Sequence, residues 1–169
     1  TSQDLESFME FSRQKAEHAQ SREVVTEQPK ESLHSRSKSQ ITITNWQGGK
    51  YFFTVDEVKF SNEELFLIES KHSTRSLLPS TSDIKDGLIK MILFSNLTKV
   101  VADGESIKHR SILQLTSSQL HGDIQSDSPP DEVEKFFKTN RFRISHKSLV
   151  LKLFDEANTN RFNVVIQKG

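Results

Sequence analysis

The chain has 169 residues, 23 basic and 23 acidic, about a third of them hydrophobic, and no cysteine. That length carries one domain with an ordinary core, and zero net charge excludes a global pull toward a polyanion, which would have to be held by a local basic patch or by metal ions. Without cysteine there is no disulfide framework, zinc ribbon or thiol nucleophile.

The first element is a helix from Asp4 to about Ala19, with Leu5, Phe8 and Met9 on one side and Ser2 or Asp4 as the cap. The polar stretch "SREVVTEQPKESLHSRSKSQ" follows as an exposed loop carrying Arg36 and Lys38. "QITITNW", "KYFFTVDEVKF" and "LFLIESKH" then read as three antiparallel strands joined by turns at "QGGK" and "SNEE".

After a loop with Pro79, "DIKDGLIKMILFSNL" is a helix capped by Ser82 or Asp83, with Ile84, Leu88, Met91, Ile92 and Ser95 as its buried stripe. Gly87 costs helix propensity and points to close packing on the sheet. "SILQLT" is the next strand, placed parallel in the same sheet by its helical connection. Further on, "HGDIQSDSPP" reads as a loop, "PDEVEKFFKTN" as a short helix and "KSLVLKLFDEANTNRFNVVIQ" as a hairpin turning at "EANTN". The expected class is α/β, a mixed sheet of an antiparallel meander plus a parallel strand, flanked by helices.

The third strand ends on charges, Glu69-Ser70-Lys71. A turn centred between Asn62 and Glu63 sets Asp56 opposite Glu69 and Thr54 opposite Lys71, so Asp56, Glu69 and Lys71 share one face and Glu57 points the other way. A one-residue bulge would exchange Asp56 for Glu57. Opposed carboxylates repel, and a divalent cation relieves them; two carboxylates, the Ser70 backbone carbonyl and waters make an oxygen set suited to Mg²⁺. Lys71, on the same face, can serve a metal-bound water and balance a phosphate. The pattern suits metal-dependent hydrolysis of phosphodiesters, against which stands a plain surface ion cluster.

"VDEVKF…LFLIESKHS", within the order helix, three strands, helix, strand, resembles the PD-(D/E)XK nuclease superfamily, and "IESKHSTRSLLPSTSDIKDGLIKMILFSNL" looks like the matching segment of some type II restriction endonucleases. The resemblance covers residues 4 to 116 and implies a restriction-endonuclease-like core, with a variable tail over 117–169 of one catalytic domain. It implies a Mg²⁺-dependent DNA endonuclease, with Mn²⁺ as a substitute, in which Asp56 and Glu69 hold the metal and Lys71 serves the water. Val55 stands where the family motif usually has proline, which keeps Glu57 as a rival ligand. Some members add an acid from the first helix, here Glu6 or Glu10. The resemblance also implies double-stranded DNA as partner and a homodimer, with the helix 83–97 or the tail supplying contacts.

Other histidines, His109, His121 and His146, lack metal-ligand spacing, and no phosphate-cradling glycine loop or serine-nucleophile motif occurs. Arg36, Lys38, His72, Arg75, Arg141 and Arg143 are candidate phosphate contacts, each competing with an ordinary role as a solvated charge. No apolar run reaches the length of a membrane span and the first residues lack the regions of a signal peptide, so no membrane partner and a cytoplasmic location are expected. The opening on Thr1 rather than Met suits a fragment equally well. The alternatives to a restriction enzyme are a repair, junction or RNA nuclease of the same superfamily, or a non-catalytic nucleic-acid-binding domain.

Overall fold

β-branched and aromatic residues crowd the segment from Ser35 to Ser73, which forms a meander: β1 (Ser35–Thr44), β2 (Lys50–Ser61) and β3 (Glu64–Ser73). The structure, a computed structural model, describes residues 35–44, 47–61, 64–98, 100–102 and 105–169, within the unit Leu33–Gly169. The expected first helix, with Glu6 and Glu10, lies outside the described residues. β1 begins earlier than expected, so Arg36 and Lys38 belong to a strand and not to a loop: Arg36 is opposite Val58, and Lys38 falls between the Ser37↔Glu57 and Ser39↔Val55 pairs. Serine and lysine are weak strand formers, and pairing with β2 overrides their preference.

A helix, α1 (Thr81–Ser95), leads from β3 to β6 (Lys108–Ser117), and the two strands are parallel from Glu64↔Lys108 to Ser73↔Ser117. Between α1 and β6 lies a small separate hairpin, β4 (Val101–Ala102) and β5 (Glu105–Ser106). The α1 cap is Ser80 and not Ser82 or Asp83: the Ser80 hydroxyl accepts the Asp83 backbone N–H at 3.2 Å and donates to the Asp83 carboxylate at 2.6 Å. This reciprocal arrangement satisfies an orphan donor of the first turn, and Asp83 supports the cap from three residues on.

The buried stripe of α1 is Ile84, Gly87, Met91 and Phe94, whereas Ile92 is 37% exposed. Ile84 and Met91 of the expected stripe are buried and Leu88 is partly buried, while Gly87 and Phe94 join them in place of Ile92 and Ser95. Gly87 is the true centre: a Cβ there would stand 2.6 Å from Leu113 Cδ1, so only hydrogen lets the helix settle onto β6.

Beyond β6 come β7 (Asp123–Gln125), α2 (Pro130–Thr139), α3 (Ile144–Asn160) and β8 (Asn163–Lys168). Two expectations fail here. The "HGDIQSDSPP" loop contains β7, where buried Ile124 pairs with Ile166 of β8. The expected hairpin from Lys147 onward is mostly helix: Val150, Leu153, Phe154 and Ala157 are buried at the three- and four-residue spacing of a helical face, and only "NVVIQK" is a strand. Arg161 ends the helix in the left-handed conformation (φ 60°), and the Phe162 N–H reaches back to the Ala157 carbonyl.

Among the described residues the main sheet has six strands in the order β1-β2-β3-β6-β8-β7, antiparallel at both ends and parallel through β3-β6-β8. The protein is thus α/β, with a mixed sheet and three described helices. One face carries the core in rows across the parallel strands. Glu69, Leu113 and Val164 form one row, Lys71, Leu115 and Ile166 the next. Leu113, Leu115, Val164 and Ile166 are fully buried, each contributing about 1.5–3 kcal/mol. Glu69 occupies a core position.

Candidate active site

Pairing between β2 and β3 runs from Ser61↔Glu64 to Glu57↔Ile68 and stops, although β2 stays paired with β1 and β3 with β6 well past that level. A fork therefore opens in the sheet. The register is that of a turn centred between Asn62 and Glu63, so the residues on the helix-covered side of the fork are Asp56 from β2 and Glu69 and Lys71 from β3. The Asp56 Oδ2 accepts the Ser70 backbone N–H at 3.0 Å, replacing the ladder bond that the fork has removed.

Glu69 is only 1% exposed. A buried carboxylate costs several kcal/mol unless it is paired, and Glu69 is paired on one oxygen alone. Its Oε1 takes Lys90 Nζ at 2.8 Å and Lys71 Nζ at 3.1 Å. Its Oε2 is buried without a hydrogen-bond partner. Lys71 also meets the Asp86 carboxylate at 2.7 Å, and Lys90 Nζ lies 3.4 Å from the Thr54 carbonyl on β2. Asp86 is 62% exposed, so it draws Lys71 toward solvent while Glu69 draws it inward.

Burial works to lower the pKa of the Lys71 ammonium, but the hydrogen bonds it donates to Asp86 and Glu69, with their charges, outweigh it and hold the group above the ordinary lysine value. The hydrogen bond from Lys71, together with its charge, holds the Asp86 carboxyl below the usual carboxylate range. Lys71 is therefore an ammonium at neutral pH and not a ready general base.

Asp86 and Lys90 join the site from α1, although neither is among the candidates read from the sequence. A signal was present: Asp86 and Lys90 are four residues apart and flank the Gly87–Met91 stripe, so a helix seated on Gly87 carries both to the sheet.

The other candidates disperse. Glu57 lies on the opposite face and pairs with Lys59 at 3.2 Å. His72 also faces away from Lys71: it is exposed, with its Nδ1 2.8 Å from Thr116 Oγ1 and its Nε2 3.5 Å from Ser118 Oγ. Arg75, Arg141 and Arg143 are exposed. Their loops are tied to one segment after β6, because Gln119 Nε2 donates to the Thr74 carbonyl and Asn140 binds the His121 backbone through both N–H and C=O. Arg36 and Lys38 are placed only by their register on β1.

Among the described residues no group of three or more His, Cys, Asp or Glu side chains is set to hold a metal ion. That argues against a zinc-type cage, but Mg²⁺ needs less: one or two carboxylates, with waters and substrate oxygens completing the shell. Asp56, Glu69 through its unpaired Oε2, and the Ser70 carbonyl are of that kind. No helix among the described residues is long and apolar enough to cross a membrane. The chain matches no family model, no curated protein and no solved structure.

Proposed function

We propose that the β2–β3 fork is the active site of a Mg²⁺-dependent endonuclease that hydrolyses DNA phosphodiester bonds, a type II restriction enzyme or its catalytic portion, with a restriction-endonuclease-like core. The observation that carries this reading is Glu69, a carboxylate in a core position with one oxygen neutralised twice and the other left without a partner. Evolution toward stability alone favours an apolar residue there, level with Leu113 and Val164.

Asp56 and Glu69 would hold the cation, with the Ser70 carbonyl beside them and Mn²⁺ as a substitute for Mg²⁺. The bound ion would supply an acidified water and polarise the phosphoryl oxygens. Lys71, kept as an ammonium, orients the water and offsets charge developing on the phosphoryl group. Arg75, Arg141 and Arg143, on loops tied together after β6, are suited to positioning contacts with the DNA backbone. The resemblance to restriction enzymes that cut both strands as dimers extends the proposal to a homodimer.

The test is incubation of the protein with supercoiled plasmid and Mg²⁺ or Mn²⁺, read on a gel. Nicked, linear or discretely cut DNA is expected, abolished in Lys71→Ala while melting is little changed. Plasmid and long genomic DNA both left uncut with both ions, or full cutting by Lys71→Ala, overturns the proposal.

A second reading has its own observation. Lys71 and Lys90 already neutralise Glu69 without any ion, which suits a non-catalytic nucleic-acid-binding domain with a structural ion cluster. That domain gains no stability from Mn²⁺, whereas a two-carboxylate site does.

A further inference from the structure

We infer that Lys90, on α1, is a phosphate-binding residue of this site, contacting a non-bridging oxygen of the phosphodiester; the inference rests on the nuclease reading above. Lys90 Nζ and Lys71 Nζ both touch Glu69 Oε1, at 2.8 and 3.1 Å, so two ammonium groups from different elements converge on one point at the fork. Their other partners differ. Lys71 has a second carboxylate in Asp86, whereas the remaining contact of Lys90 is the Thr54 carbonyl at 3.4 Å, a long bond to a neutral group. When a divalent cation engages Glu69 through Oε2, it draws charge from Oε1; Lys71 keeps a hydrogen-bonded carboxylate in Asp86, whereas Lys90 keeps the neutral Thr54 carbonyl and only the more distant charge of Asp86.

Formal charge points the same way. Asp56, Glu69 and Asp86 against Lys71 and Lys90 leave one net negative charge. A divalent cation turns this into one net positive charge, which a single phosphodiester cancels. Without Lys90 the cation-loaded cluster would be neutral and the phosphodiester would leave an excess negative charge beside partly buried groups. Lys90 is placed for this by its helix. Gly87 lets α1 sit against Leu113 and the Lys71 side chain, and one turn further Lys90 crosses to β2 and β3.

The experiment measures binding of a fluorescent mixed-sequence DNA duplex in Ca²⁺, which occupies oxygen sites with little turnover, alongside the Mn²⁺-induced shift in melting temperature. Lys90→Gln keeps an N–H donor for Glu69 Oε1 and removes only the charge, Lys90→Met is read in parallel so that the outcome does not hang on one variant, and Lys90→Arg restores the charge. Loss of one charge-assisted hydrogen bond to phosphate is expected to weaken Ca²⁺-dependent duplex binding about 10- to 100-fold. The salt dependence should fall by about one phosphate contact, with the Mn²⁺ shift retained and Lys90→Arg restoring much of the affinity. Wild-type duplex affinity in both neutral variants overturns the role of Lys90 and leaves the carboxylate site standing. A wild-type protein with neither a Mn²⁺ shift nor Ca²⁺-dependent duplex binding overturns the nuclease reading and this inference together.

Discussion

The Asp56 carboxylate accepts the Ser70 backbone N–H at 3.0 Å, at the level where β2 and β3 have ceased to pair. A side chain stands in for the main chain, so the sheet can split without leaving that donor unsatisfied. The split separates the two carboxylate-bearing strands while one of them stays locked to β6.

Asp56→Ala should therefore act twice. It removes the bond to the exposed Ser70 N–H, which water can replace, costing about 0.5–1 kcal/mol, and it removes the Mn²⁺-induced gain in melting temperature together with plasmid cutting. Glu57→Ala, on the other face, should be mild in both assays. A dead Glu57 variant beside an active Asp56 variant would reverse the assignment.

Glu69→Ala removes the buried anion on which both lysines converge. A loss of about 1–3 kcal/mol is expected in urea denaturation, since both lysines lose an ionic hydrogen bond but are partly exposed and Lys71 keeps Asp86. Glu69→Gln should lose less, because its amide oxygen can still accept from an ammonium, yet be equally inactive. Equal stability of Glu69→Ala and wild type would show that the cluster contributes nothing to the fold.

The Lys71–Asp86 bridge sets a pH window. Asp86 has a lowered folded pKa, so its contribution is present above the ordinary 3.8 and is lost as pH falls through the folded value. Lys71 has a raised folded pKa, so its contribution is present below 10.5 and is lost as pH rises through the folded value. Asp86 is 62% exposed, so the effect is under about 1 kcal/mol. Asp86→Asn should lower stability by that small amount between these limits and converge with wild type at strongly acidic pH, checked by denaturation across the pH range.

Gly87→Ala sets helix propensity against packing. Alanine gains about 1 kcal/mol in a helix interior, but the new methyl would meet Leu113 Cδ1 at 2.6 Å, and Leu113 is fully buried. Overpacking of about 1–3 kcal/mol should win, leaving a less stable protein with weaker duplex binding because Lys90 is lifted from Glu69. A more stable variant would show that Leu113 can move aside.

Residues close in the chain were the legible ones. The β2–β3 register, the shared face of Asp56, Glu69 and Lys71, the parallel placement of β6 and the tight seat of Gly87 all follow from local alternation, turn spacing and a single helical crossover. Periods were misread where apolar residues were dense: "KSLVLKLFDEAN" alternates well enough to suggest a strand, yet its buried set Val150, Leu153, Phe154 and Ala157 is helical.

By itself, then, the amino-acid order determined which side chains leave one face of the β2–β3 hairpin, because alternation along a strand is a local rule of covalent geometry. Only the tertiary structure decided that β2 and β3 part at Asp56, that Glu69 sinks into a core row beside Leu113, and that Asp86 and Lys90 arrive from α1. Those outcomes depend on how a helix and a distant strand pack together, and the free energy that settles such packing belongs to surfaces that meet only after folding.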